Sequence, residues 1–306
     1  MNETAIEIES VALRFGKKEI LRDLSLSVPR GQTFAFLGRN GAGKTTTIRM
    51  LMGLLRPERG RIRVLGIDPQ TNPLEVRRRA GYLAEDQRMF GWMKIEELLR
   101  FLEPFYPGWD KALAARFLDR FELSPKTRVQ HLSKGQSVRL GLLLALAHRP
   151  ELVILDDPTL GLDPIARKEL LRDIIDHLQG HGVTVFFSSH LLYEIEPVAD
   201  AVAILDRGHI VRQAATEELR EQVKRLILKA EDYARVAPLP GALDVRKSGA
   251  QIGVVVERAN KTVKALAASG IQPEVMDLNL DEIFEAYVIG KSHESTNEEP
   301  ALERVA

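Results

Sequence analysis

Apolar and polar residues alternate along 6–15 and again along 20–28, as in Leu24-Ser25-Leu26-Ser27-Val28, with Gly16-Lys17-Lys18 between the two runs. Alternation with period two on both sides of a glycine turn predicts an antiparallel hairpin, laid beside the strand that follows it. That next strand has a different pattern. Thr33-Phe34-Ala35-Phe36-Leu37 is a continuous apolar run, short enough to be a parallel strand buried on both faces. Gly38, Gly41 and Gly43 break it, and Ile48, Leu51, Met52 and Leu55 then recur on one helical face. A turn at 56–60, a strand at 61–65, a helix at 74–79 and a buried strand at 80–84 follow, closed by Glu85-Asp86-Gln87. From 95 to 148 the pattern is almost wholly helical, with breaks at Pro104, Pro107-Gly108 and Ser124-Pro125. This predicts a helical insert, about 88–148, between two strands of a sheet.

Strand and helix alternate again further on. A buried strand at 152–157 ends in Asp156-Asp157, a helix covers 165–177, and a strand at 183–187 ends in Ser188-Ser189-His190. A helix at 192–198 and strands at 201–205 and 210–213 come next. This alternation implies an α/β fold with a mainly parallel sheet. Near 216–224 the pattern shifts. Strands at 226–229, 252–256 and 274–278, with helices at 260–268 and 281–288, predict a small α/β accessory domain over 219–290, after a first domain of 1–218. Residues 291–306 are polar and acidic without periodicity, which predicts a disordered tail. No internal repeat is found, so one nucleotide-binding unit is encoded.

Composition narrows the classes. Lys+Arg and Asp+Glu are both 43, so no global field draws the chain to nucleic acid or anionic lipid. Aromatic residues are 6%, low for a protein that stacks on single-stranded bases, so no nucleic-acid partner is expected. Cysteine is absent, which excludes disulfides and thiolate metal sites. No basic region precedes an apolar stretch at the N-terminus, so no signal peptide is read. The longest apolar run, 140–147, falls far short of the roughly 18 residues a membrane span requires. A cytoplasmic location is expected, with any membrane role exerted through a partner.

The chemistry concentrates in three stretches. Gly38-Arg39-Asn40-Gly41-Ala42-Gly43-Lys44-Thr45-Thr46 lies between a buried strand and a helix, the context in which Gly-x-x-x-x-Gly-Lys-Thr cradles phosphate. The glycines let backbone N–H groups point inward, and the helix N-terminus adds its positive end. Lys44 would neutralise the β- and γ-phosphates and the Thr45 hydroxyl would ligate Mg²⁺. Asp156, ending its apolar strand, can hold the same Mg²⁺. Asp157 is placed to orient or deprotonate an attacking water. The third stretch, Leu132-Ser133-Lys134-Gly135-Gln136, opens another helix and makes a second anion site. One triphosphate loop beside two phosphate-type helix starts implies that the second serves a partner's nucleotide.

With all three stretches in order, the chain resembles the ATP-binding subunit of an ABC transporter over about residues 4–215. The resemblance implies the family's P-loop NTPase fold: a mainly parallel sheet, an antiparallel β subdomain and a helical subdomain. Leu132 to Gln136 matches the family signature Leu-Ser-Gly-Gly-Gln with Lys134 in the third place. By the same resemblance Phe15 takes the position of the aromatic that stacks on adenine, although a strand residue in the core is an alternative. Glu85 takes the position of the glutamine that senses Mg²⁺ and γ-phosphate, so it is both a catalytic and a metal-site candidate. Gln87, two residues on, aligns less well. Gly161-Leu162-Asp163 resembles the loop that crosses the dimer interface, and His190 matches the histidine that contacts the γ-phosphate.

Asp157 replaces the family's usual glutamate and is one methylene shorter, which points to slow hydrolysis. The implied cofactors are ATP and Mg²⁺. The implied partners are a second ATP-binding subunit, identical or not, and integral membrane permease subunits that would hold the chain at the inner face of the membrane. Phe90, Trp92, Phe101, Phe105, Tyr106 and Trp109 are candidates for the permease contact or for the core of the helical insert. Residues 105–110 and 278–287 are similar to ABC-2-type exporters, including subunits of drug and antibiotic efflux. A soluble switch of the same fold, without transport, is the alternative.

Overall fold

The computed structural model of the chain describes residues 4–178, 182–189 and 196–290. They form two compact units, one up to Gln213 and one from Ala214, each with its own apolar core. The predicted helix at 192–198 lies in part, and the predicted tail at 291–306 wholly, outside the described residues.

In the first unit β1 (Thr4–Phe15) and β2 (Lys18–Pro29) form the predicted hairpin. It does not join the strand that follows. It pairs instead with β4 (Arg59–Val64) in a three-stranded antiparallel sheet, order β2-β1-β4. The reason lies in the two patterns. Ile6, Ile8, Leu24, Leu26, Ile62 and Val64 are buried on one face. The other face carries charge, with Glu7 opposite Arg63 and Glu9 opposite Arg61. A sheet with one charged face cannot supply a neighbour to β3 (Thr33–Gly38), which is apolar on both.

β3 sits in a six-stranded sheet with β5 (Ala80–Leu83), β6 (Leu152–Asp156), β7 (Thr184–Ser189), β8 (Ala201–Asp206) and β9 (His209–Ala215), in the order β5-β6-β7-β3-β8-β9. The pairs β5–β6, β6–β7, β7–β3 and β3–β8 are parallel. Phe186 of β7 stacks on Phe34 and tilts against Phe36 of β3, with ring centres 6.0 and 5.2 Å apart. Helices α1 (Lys44–Leu51), α2 (Pro73–Arg79) and α6 (Pro164–Leu178) belong to this layer.

The helical insert contains α3 (Ile95–Leu102), α4 (Lys111–Arg120) and α5 (Lys134–Leu146). Its aromatic core is the stacked pair Phe117 and Phe121, both buried. Phe90, Trp92, Phe101 and Phe105 are exposed instead, and Tyr106 and Trp109 are half-buried. No described helix is long and apolar enough to cross a membrane.

The second unit runs α7 (Thr216–Gln222), β10 (Lys224–Lys229), α8 (Ala230–Val236), β11 (Ala242–Ser248), β12 (Gln251–Val256), α9 (Ala259–Ala268), β13 (Glu274–Asp277) and α10 (Leu280–Glu285). Its sheet is antiparallel, order β11-β12-β10-β13, so a βαββαβ chain forms a split βαβ arrangement. Leu226, Leu228, Ile252, Val254 and Val256 pack with Leu266 and Ile271 as its core.

Candidate nucleotide site

Parallel strands end together, and the ends of β5, β6, β7 and β3 are neighbours. Their carboxyl ends therefore deliver Glu85, Asp156-Asp157, Ser188-Ser189 and the glycine loop 38–43 to one edge of the sheet. Ligands of open α/β sheets bind at such an edge.

The loop depends on its last glycine. Gly43 has φ +115°, a backbone that strains any side chain, and a Cβ there would stand 2.7 Å from Leu21 Cδ2 and force that side chain to shift. Lys44 follows at the first position of α1 and is buried, its Nζ donating to Gly38 O at 2.8 Å. Burial holds the Lys44 pKa below the ordinary lysine value, against the opposing pull of Asp157, Asp156 and Glu85.

One serine holds the Asp156 carboxylate and the Asp157 backbone at the end of β6. Ser188 Oγ donates to Asp156 Oδ1 at 2.8 Å and accepts the Asp157 N–H at 3.0 Å. Asp157 adopts a left-handed φ of 47°, which aspartate tolerates, and its carbonyl accepts Leu160 N–H at 3.0 Å to close the turn. Asp156 is 1% exposed and burial raises its pKa, opposed by the hydrogen bonds from Ser188 and Thr45. Sequence reasoning assigned Ser188 no role.

The donor set suits a hard divalent cation. Asp156 Oδ2 is buried without a hydrogen-bond partner. Thr45 Oγ1 lies 3.2 Å from Asp156 Oδ1 and 3.5 Å from Glu85 Oε2. Among the described residues no group of three or more His, Cys, Asp or Glu could hold a metal. Two carboxylates and a hydroxyl leave the other coordination positions to water or phosphate oxygen, the usual situation of Mg²⁺.

A cleft of about 340 Å³ is lined by Asn40, Gly41, Gly43, Lys44, Thr45 and Thr46, and on its other walls by Lys18, Glu85 and Asp157. Gly38 and Ala42 complete the loop beneath it, with Ala42 N–H bonded to Arg39 O at 3.1 Å. Phe15 is 54% exposed and so is not a core residue; it pairs in register with Lys18, which lines the cleft. Gln87 turns away, its amide donating to Ala84 O at 2.8 Å.

Ser133 to Gln136 are not in this cleft. They line a second one of about 300 Å³ with Gly161, Leu162 and Asp163. Ser133 caps α5 through Gln136 N–H at 3.2 Å, and Gln136 Oε1 accepts Ser133 N–H at 3.0 Å, a reciprocal capping box. Lys134 and Gly135 form the first turn. Asp163 caps α6, its Oδ1 accepting the Ile165 and Ala166 N–H groups at 3.0 Å each, bonds that hold its carboxyl below the ordinary range. The 157–163 loop thus begins in one cleft and ends in the other. His190 lies outside the described residues.

Residues 21–160 match the family model described as ABC transporter. The chain is 35% identical over 304 residues to the daunorubicin resistance ATP-binding protein DrrA3 of Streptomyces coeruleorubidus, covering 93% of this chain and 96% of that protein. This chain belongs to the ABC transporter ATP-binding proteins. It is an ATPase of that family, the ATP-hydrolysing subunit of a transporter. A second relative of this ABC subunit, the bacitracin transport ATP-binding protein BcrA of Bacillus licheniformis, is 35% identical over 226 residues, covering 73% of this chain and 74% of that one.

Among solved structures, an ATP-binding subunit of an ABC transporter superposes with a TM-score of 0.65 and 30% identity, over 71% of this chain and 92% of its own. A dimeric ATP-binding cassette bound to ADP and phosphate shares the fold, with a TM-score of 0.62 and 20% identity over 69% of this chain and 98% of its own. The expected P-loop fold, with parallel and antiparallel sheets, is therefore found. The relatives are transport and resistance proteins, which favours the transporter subunit over a transport-free switch.

Proposed function

We propose that two ATP-binding subunits associate head to tail, each P-loop cleft being completed by Ser133 and Gly135 of the other copy. The observation that carries this reading is the separation of the two phosphate-type helix starts into different clefts joined by the 157–163 loop. Gly38 to Thr46 would hold the β- and γ-phosphates, with Lys44 leaving Gly38 O to meet them. Phe15, exposed at the hairpin end, would stack on adenine. Asp157 would orient the attacking water, and His190 is assigned the γ-phosphate contact by its motif.

Thr45, Asp156 and Glu85 would hold Mg²⁺, which supplies charge neutralisation to the phosphates. Closure on ATP and release after hydrolysis then form a cycle driven by differential contacts to the γ-phosphate. The cycle would act on separate permease subunits, keeping the chain at the inner face of the membrane. The exposed aromatics support such a contact: Phe90 meets Trp92 and Phe101 at ring distances of 6.3 and 5.6 Å, and Phe101 meets Phe105 at 5.6 Å. An apolar patch of this kind on a soluble surface marks an interaction site. The names of the relatives support a drug or antibiotic as cargo and export as the direction. The unit from Ala214 would be an accessory domain that stabilises or regulates the dimer.

Asp157→Asn tests the pairing. Removal of the carboxylate should leave ATP binding intact and stall opening, so light scattering should record a dimer that forms with Mg²⁺–ATP and persists. A monomer under saturating Mg²⁺–ATP contradicts the head-to-tail reading, and wild-type turnover by this variant removes Asp157 from catalysis.

A further inference from the structure

Among the described residues, the floor of the cleft holds more carboxylates than cations. Three carboxylates, Glu85, Asp156 and Asp157, gather around the buried Lys44 ammonium, which is bonded to Gly38 O. Among the described residues, Lys18 is the other cation lining the cleft, and it stands exposed on the hairpin. With a glutamine at position 85 the floor would carry one negative charge fewer.

The hydrogen bonds at the floor also fall short by one proton. Thr45 Oγ1 faces Asp156 Oδ1 at 3.2 Å and Glu85 Oε2 at 3.5 Å, yet a hydroxyl has a single hydrogen to donate. One of these oxygen pairs is therefore left facing without a proton between its members. Asp156 Oδ2 is a second unmet acceptor, buried and without a partner on a side chain 1% exposed. A hard cation beside Thr45 Oγ1 can take lone pairs from both facing carboxylates at once, where an additional hydrogen bond would satisfy one.

We propose that Glu85 equips this cleft to take up a divalent cation of the Mg²⁺ class before the nucleotide arrives, with Thr45 Oγ1, the Asp156 carboxylate and the Glu85 carboxylate as its protein ligands. The proposal rests on the reading of this cleft as the nucleotide site, and adds an order of binding to it. Water completes the ion's shell until phosphate oxygens replace part of it. ATP then enters a cleft whose negative charge is already offset, and binding of ATP without a divalent ion is suppressed.

The test is uptake of Mn²⁺ by the nucleotide-free full chain, read from the paramagnetic resonance of free Mn²⁺ and competed with Mg²⁺. Binding of ATP with Mg²⁺ is measured on the same preparation. The expected result is one competable Mn²⁺ per chain, with affinity at least about tenfold weaker in Glu85→Gln, whose folding is checked by circular dichroism. Wild-type protein that binds ATP with Mg²⁺ but takes up no Mn²⁺ alone overturns the order of binding and leaves the nucleotide site standing. Equal uptake by the wild type and Glu85→Gln means an adventitious ion only, and also overturns it. Failure to bind ATP under any condition removes the nucleotide-site reading itself. Where the variant does not fold, absence of Mn²⁺ uptake by the wild type still overturns the proposal.

Discussion

Ser188→Ala removes a single oxygen that both acidic residues use. The hydroxyl is fully buried, donates to Asp156 Oδ1 at 2.8 Å and accepts Asp157 N–H at 3.0 Å. The second loss is small, because Asp157 N–H also reaches Ser188 O at 3.1 Å and keeps that bond. The first is not small. Asp156 has no slack, since Oδ2 already lacks a partner and Oδ1 would retain Thr45 alone. A hydrogen bond to a buried charged group contributes about 1.5–3 kcal/mol, so the variant should lose about 2 kcal/mol of stability. Turnover should fall roughly 10- to 100-fold, as when a partner that orients a metal ligand is removed.

Urea unfolding and ATP hydrolysis at saturating Mg²⁺–ATP measure the two effects. Asp156→Ala supplies the other side of a double-mutant cycle, in which most of the Ser188→Ala cost should disappear once the acceptor is gone. A loss below about 0.5 kcal/mol, the scale of an ordinary surface substitution, with unchanged turnover would refute the reasoning.

Two further predictions concern the surface. Trp92→Ala should change stability by no more than about 0.5 kcal/mol, since the ring is 65% exposed, yet should weaken copurification with permease subunits; undiminished copurification would move the docking surface elsewhere. Glu151 binds Arg79 at 2.5 and 2.8 Å and Arg30 at 2.9 Å, and the Arg79 hydrogen bonds lead the causes that hold its carboxyl below the ordinary range. Its contribution is therefore fully present above the ordinary carboxylate pKa of about 4.3 and is lost as pH falls through the lower folded value. Glu151→Gln should cost about 0.5–1 kcal/mol at neutral pH, because the side chain is partly exposed, and progressively less in acid. An equal cost at both pH values would show that the charge is not the source.

The parallel sheet was legible because its strands are apolar on both faces, as 33–37 and 152–155 are, and a run of that kind excludes most alternatives. The partner of the hairpin was not legible, because strand pairing is a contact between distant segments. The 59–64 segment looks polar until every second residue is seen to face Glu7 and Glu9. In the second unit, Ala242–Ser248 escaped notice because it is an edge strand with Asp244, Arg246 and Lys247 in it. The P-loop and acidic residues were legible through spacing. Ser188 was not, because its role depends on a register pair with Asp156 that local sequence does not carry. The expectation that most of the aromatics at 90–109 fill the core of the insert fails for Phe90, Trp92, Phe101 and Phe105, which are exposed, since periodicity does not say that Phe117 and Phe121 fill it.

The central claim, that each nucleotide site is built from two chains, is tested most directly by complementation. Lys44→Ala lacks a working P-loop but retains Ser133 and Gly135. Ser133→Arg blocks that second cleft but retains its P-loop. Each variant alone should hydrolyse ATP far below the wild type. Their mixture should recover activity, because the P-loop of Ser133→Arg and the Ser133 region of Lys44→Ala form one intact site between them. A mixture no more active than its components, measured beside an active wild type, would contradict a site shared between copies, as would full activity of Ser133→Arg alone.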